Sequence, residues 1–202
     1  MSILATEATT LNYAALERAW PAFETKILSL LNTLGLADKG LYCDHVALRV
    51  NTIVAADALK QAFSERGRII SDNQINGRSI LIIELDNPLR LGSFTIDCVE
   101  LPYPGDTHYP QEGWEHIELV LPSTAQDCDT LNQDLGQLCP PLLPLLQVQG
   151  QSSAPIKVKF SSPKGEKERL ANPTIAFKQA DVCIKLHPHG IKAVIASEQT
   201  ER

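Results

Sequence analysis

The sequence predicts an α+β protein. An N-terminal helical arm (residues 1–40) precedes two paired β-α-β-β-β modules (41–104 and 112–190), and their strands form a curved mixed sheet around a cavity within a single domain, 1–202. Three observations carry this expectation. The apolar period shortens from three-to-four residues to two near position 41, the change from a helix stripe to a strand face. A run of breakers, Pro102, Pro104, Gly105 and Pro110, interrupts the chain midway, and the same order of periodicities restarts after it. Each half also opens with a strand carrying an Xaa-His-Xaa-apolar pattern, Asp44-His45-Val46 and Glu115-His116-Ile117.

In the arm, Leu16, Trp20, Phe23, Ile27, Leu30, Leu31 and Leu34 recur at steps of three and four. Pro21 costs a hydrogen bond inside a helix, so it is expected to open a second helix that Gly35 ends. In the strand from Cys43 to Val50, Val46, Leu48 and Val50 share one face, and His45, Ala47 and Arg49 share the other. A helix is expected from Ile53 to Arg66, then strands at Ile69–Ser71, Ser79–Leu85 and Ser93–Leu101, with a hairpin turn at Asn76-Gly77. The second module begins with a strand at Trp114–Leu121. Ser123 with Gln126 resembles a capping box and opens a helix running to about Leu138. A proline-rich connection leads to strands at Ile156–Phe160, Thr174–Phe177 and Val182–His187, and the stretch Ile191–Ser197 is too short to assign.

Composition narrows the function classes. With 44% hydrophobic and 21% charged residues, the 202-residue chain is an ordinary globular one. A net charge of −6 disfavours attraction to nucleic acid or anionic lipid. The basic cluster Lys157, Lys159, Lys164, Lys167 and Arg169 is interrupted by Glu166 and Glu168 and reads as a solvated loop. Five cysteines, an odd number with no CxxC pair, argue against a disulfide framework and for a reducing compartment. The first ten residues do not form a secretory signal, and no apolar run reaches the roughly 20 residues that span a bilayer. The expectation is a cytoplasmic protein with a small-molecule ligand, no nucleic acid and no membrane. Motifs for P-loop, Rossmann, serine-hydrolase and thermolysin-like chemistry are missing; Ser161-Ser162-Pro163-Lys164-Gly165-Glu166 lacks the phosphate-loop spacing.

Strand parity points to a metal site. Helices cover the apolar faces, so His45 and Arg49, His116 and Glu118, and Lys185 and His187 fall on the uncovered faces of three strands. If those faces curl together, two imidazoles meet around a carboxylate, either Glu100 or Glu118. Burying such groups without partners is costly, and a divalent zinc, nickel, iron or manganese ion resolves the cost. Two histidines and one carboxylate leave coordination positions open, as catalysis requires. His187 is a further ligand or a partner behind the ligands. Arg49 and Lys185 read either as anchors for a substrate anion or as ion-pair partners of nearby glutamates.

Glu100-Leu-Pro-Tyr-Pro-Gly, Tyr109-Pro-Gln-Glu-Gly-Trp-Glu-His-Ile-Glu, Ser161-Ser-Pro-Lys-Gly-Glu and Ile184-Lys-Leu-His-Pro resemble the YecM family of bacterial proteins, from about Pro21 to Gln199. That family resembles the vicinal oxygen chelate superfamily of glyoxalase I, extradiol dioxygenases and fosfomycin-resistance enzymes. The resemblance implies paired modules around a divalent metal, with ligands from the first and last strand of each: His45 and Glu100, then His116 with Lys185 or His187. Superfamily enzymes often carry Glu at that last position, and a protonated lysine cannot ligate, so the fourth place falls to His187, to water or to substrate. The resemblance supplies no substrate; the activity expected from the site is metal-dependent isomerase, lyase or dioxygenase chemistry on a small oxygen-bearing anion, isomerase or lyase favoured, with Glu118 as proton-transfer base and Arg49 and Lys185 holding the substrate. The rival reading is a binding protein that uses the same cavity without turnover.

Overall fold

The computed structural model describes residues 10–75, 77–147, 155–162 and 169–198. Its first element, α1 (Tyr13–Leu34), differs from the expected helix break: it runs unbroken through Pro21. Asn12 caps it by accepting the Ala15 amide at 3.0 Å, and Gly35, in the left-handed region at φ 68°, ends it as expected. The proline is tolerated because packing holds the helix on both sides of it, through buried Leu16 before and Phe23, Ile27 and Leu30 after. The two tryptophans lock the same seam, packed edge to face with centroids 4.9 Å apart. Trp20 donates its indole N–H to the Arg90 carbonyl at 3.0 Å, and Trp114 donates to the Leu16 carbonyl at 2.9 Å.

The next elements follow the expected order, with β2 and β3 longer than expected: β1 (Tyr42–Arg49), α2 (Ile53–Ser64), β2 (Gly67–Ile75), β3 (Arg78–Leu91) and β4 (Phe94–Pro102). Asn76 of the expected hairpin turn lies outside the described residues. Then come β5 (Gly113–Val120), α3 (Cys128–Leu138), a 3-10 turn (Pro140–Leu142), α4 (Leu143–Leu146), β6 (Lys157–Ser161), β7 (Thr174–Gln179) and β8 (Val182–His187). Asp127, not Ser123, caps α3, accepting the Thr130 amide at 2.8 Å; Ser123 instead donates to Asp134 at 2.5 Å. The stretch left unassigned from sequence is a helix, α5 (Ile191–Glu198).

All eight strands join one mixed sheet in the order β2-β3-β4-β1-β5-β8-β7-β6. β1 and β5 meet antiparallel at its centre, flanked by the parallel neighbours β4 and β8. α1 packs on β5 and β8, α2 on β2–β4 and α3 on β7, and the main core fills that side with residues such as Val46, Val99, Ile117 and Ile184. The expected face assignment of β1, β5 and β8 holds. On the opposite face α5 makes a second, smaller cluster in which Ile195 meets Ile80, Ile82 and Cys98. The five cysteines are free thiols, and no described helix is long and apolar enough to cross a membrane.

Candidate metal centre

β1 and β5 carry their histidines to the face opposite α1–α4, and two irregularities in their pairing shape what surrounds them. Cys43 and His45 face the consecutive residues Leu119 and Glu118, leaving Asp44 as an extra residue on β1; Trp114 and His116 face the consecutive Leu48 and Ala47, leaving Glu115 extra on β5. Each is a β-bulge, which breaks the two-residue alternation and re-aims a side chain. Plain alternation would send Asp44 to the apolar side with Val46, and Glu115 with Ile117. Instead each acid turns in beside the histidine that follows it. Asp44 Oδ1 lies 3.3 Å from His45 Nδ1, and Glu115 Oε2 contacts His116 Nδ1.

Glu118, opposite His45 across the strand pair, is the hub. Its Oε1 is 3.0 Å from His116 Nε2, 3.0 Å from Lys185 Nζ and 3.6 Å from His45 Nε2, and its Oε2 is 3.2 Å from His187 Nδ1. Glu100, beside Ala47 on β4, brings Oε2 within 3.6 Å of His45 Nε2 and is 19% exposed. His45, His116 and Glu118 place donor atoms within 4.8 Å of one another. Burial alone would raise the pKa of Glu118, but Lys185 and His45 reverse it and hold the carboxyl well below its ordinary value. Burial opposes the charge on Lys185, while Glu118 and Glu100 more than restore it, so its ammonium stays protonated. Burial also raises Glu115, but His116 and Arg49 bring it down to about 2.

These residues suit a divalent cation. His45 is 1% exposed, and neither of its ring nitrogens has a hydrogen-bond partner; its contacts with Asp44, Glu100 and Glu118 lack hydrogen-bond geometry. Three carboxylates thus stand at ion-pair distance from a ring that none of them fully satisfies. Two imidazoles and a carboxylate supply nitrogen and oxygen donors that zinc, nickel, iron and manganese accept, and a carboxylate behind each ring is the usual way to fix a ligating histidine. His187 is engaged on both nitrogens, by Asp44 at 3.2 Å on Nε2 and by Asn172 at 3.0 Å and Glu118 on Nδ1. It therefore stands behind the cluster. Burial pushes the Cys183 thiol up to about 12, so it stays protonated at neutral pH.

Both cations named from sequence have partners in the centre. Arg49 pairs with Glu115 at 2.8 Å and lies over the Tyr109 ring, 4.3 Å from its centroid, and Lys185 pairs with Glu118. Two cavities adjoin the cluster. One of about 540 Å³ is bounded by His116, Arg49 and Tyr109, and one of about 220 Å³ beneath α5 is bounded by His45, Glu118 and His187; both share Arg78, Glu100 and Lys185. The larger has the size of a small-molecule pocket. An adjoining hollow of about 630 Å³ beside α1 shares Arg49, Glu115 and Lys178 with it but reaches neither histidine. Lys157 and Lys159, read from sequence as part of a solvated loop, lie on β6 and line the larger cavity; residues 163–168 of that loop lie outside the described residues. Asp44, Glu115, Asn172 and Arg78 escape a reading by parity. The one signal for the two acids is the acid-histidine dipeptide repeated at 44–45 and 115–116.

An α+β protein with one eight-stranded mixed sheet and a buried histidine–carboxylate cluster at the seam of its two halves is the class that fold and site define. The chain belongs to the YecM family: the family model described as YecM protein matches residues 12–198. Protein YecM of Escherichia coli (strain K12) is 42% identical over 180 residues, 89% of this chain and 90% of that one. An uncharacterized protein of Haemophilus influenzae (strain ATCC 51907 / DSM 11121 / KW20 / Rd) is 36% identical over 195 residues, 94% of this chain and 97% of its own. A solved chain described as Structural Genomics, Protein EC4020, superposes with a TM-score of 0.75 at 37% identity, covering 92% of both chains.

Proposed function

We propose that this chain is a divalent-metal-dependent enzyme of the vicinal oxygen chelate type, acting on a small oxygen-bearing anion by isomerase or lyase chemistry. The observation that carries the reading is His45, buried without a hydrogen bond and facing His116 and Glu118. Support for two paired modules comes from strand order: in each half the first strand lies parallel to the last, β1 to β4 and β5 to β8, and the halves join through their first strands.

His45, His116 and Glu118 would hold the ion, which when bound acts as a Lewis acid on two adjacent oxygens of the ligand. Asp44 and Glu115 orient the imidazoles, and Lys185 keeps Glu118 ionised and in place. The sequence reading made Glu100 a ligand and Glu118 the base; we exchange them. Glu118 is held by Lys185 and three histidines, whereas Glu100 is partly exposed, lines both cavities and, among the described residues, meets only His45 at ion-pair distance. Glu100 is thus the carboxylate free to take a proton from a ligand carbon beside a carbonyl. His187 moves from the ligand set to a supporting place through Asp44 and Asn172.

Elemental analysis of protein purified without chelators and then dialysed tests this reading. The wild type is expected to keep about one metal ion per chain, and His116→Ala to keep none. Equal metal content in both would refute the assignment. Ligand stabilisation that persists in a metal-free wild type would favour a binding protein without turnover.

A further inference from the structure

Four cations on the larger cavity have no acidic partner among the described residues. Arg78 begins β3, Lys157 and Lys159 lie on β6, and Lys178 lies on β7; all four line the 540 Å³ cavity. Among the described residues none of them has a carboxylate at ion-pair distance, unlike Arg49 and Lys185 on the same cavity. Six cations thus meet two acids, Glu100 and Glu115, in a chain whose net charge is −6. Lys157 and Lys178 stand directly opposite each other across the antiparallel pair, an arrangement that destabilises a sheet. Lys159, two residues along, shares the face of Lys157.

β6 ends the sheet, and lysines commonly guard such an edge against pairing with another chain. That role explains neither a like charge opposite on the interior strand β7 nor Arg78, which comes from the far half of the sheet. Residues so distant in strand order border one cavity because the face closes around it. Unpaired cations on a concave wall focus positive potential there.

We propose that this wall recognises the phosphoryl group of a small phosphorylated acid whose other oxygens face the histidine cluster. Lysine ammonium groups serve as point charges for phosphate and Arg78 offers a fork. A phosphate monoester carries about −1.5 to −2 charge near neutral pH, more than a carboxylate can set against the wall. The orientation of this ligand rests on the metal reading; the affinity of the wall for anions does not.

Calorimetric titration of the full chain at constant ionic strength, with pyrophosphate, citrate and acetate as probes, tests the proposal. Pyrophosphate is expected to bind, citrate more weakly and acetate not at all. The triple variant Lys157→Gln/Lys159→Gln/Lys178→Gln is expected to weaken pyrophosphate binding by roughly tenfold or more while keeping its metal content; arginine at the same three positions should restore it. Unchanged affinity in the glutamine variant, or no pyrophosphate binding to wild type, overturns the wall. Citrate binding tighter than pyrophosphate overturns the phosphoryl assignment. If the triple variant does not fold, Lys159→Gln alone decides, with the same direction expected. His116→Ala separates the two readings: pyrophosphate binding kept by a metal-free chain supports the wall whatever becomes of the metal centre, and a wild type that holds its metal but binds no pyrophosphate refutes the wall alone.

Discussion

On the face away from α1–α4, the two halves of the sheet end differently. Over β2–β4, α5 closes the surface: Ile195 meets Ile80, Ile82 and Cys98, Lys192 reaches Asp97 and Glu84 at 2.6 Å each, and Glu198 accepts from Asn73 at 2.9 Å. Over β6 and β7, Lys157, Lys159 and Lys178 line the larger cavity instead, with Lys185 of β8 beside them. The two ends of one sheet thus carry a dry wall and a charged one, with isoleucine at one end and lysine at the other. The histidine cluster sits between them, with apolar cover on one side and a way in on the other.

The largest effect that should break this contrast comes from Asp44. It accepts the Ile191 amide at 2.6 Å and lies against His45 and His187, so it joins α5 to the cluster. Asp44→Ala is expected to cost about 3 kcal/mol, by leaving buried polar groups unpaired, and hydrogen exchange should rise selectively in 191–198; protection there equal to wild type would show that α5 is held without it. Ile195→Ala should cost about 2 kcal/mol, read from the urea midpoint, and open the dry wall without altering pyrophosphate affinity. The smallest effect sharpens the comparison between helices. α2 is capped by Thr52, which accepts the Ala55 amide at 3.1 Å and does not titrate, and α3 by Asp127. The Thr130 amide holds the Asp127 carboxyl below its ordinary 3.8, so the stability it adds is present above that pH and lost as pH falls through the lower folded value. Asp127→Asn should melt within a few degrees of wild type at pH 7 and lose less on acidification, with Thr52 indifferent.

Periodicity made the order of elements and the faces of β1, β5 and β8 legible, because Val46, Leu48 and Val50, Ile117, Leu119 and Leu121, and Val182, Ile184 and Leu186 alternate against one large core. Other features depend on contacts distant in sequence. α1 passes through Pro21 because residues on both sides of the proline pack on the sheet, and α5 is a helix because Asp44, 147 positions away, receives its first amide. Ser123 with Gln126 matched a capping pattern, but Asp127 lay nearer the helix that tertiary packing selects. For the site, parity brought His45, His116, Glu118 and Lys185 to one face, where the structure has them. It missed Asp44 and Glu115, since a bulge shifts a strand by one residue and turns the wrong-face acid inward. The wall of cations is invisible to parity because it gathers strands from opposite ends of the sheet.

The paired indoles have a practical consequence. The chain has two tryptophans, and both sit at the junction of α1 with β5. Intrinsic fluorescence therefore watches one corner of the molecule: a shift in emission reports the docking of the N-terminal arm, and unfolding that begins at α5 or at the lysine edge would pass unseen until the arm lets go.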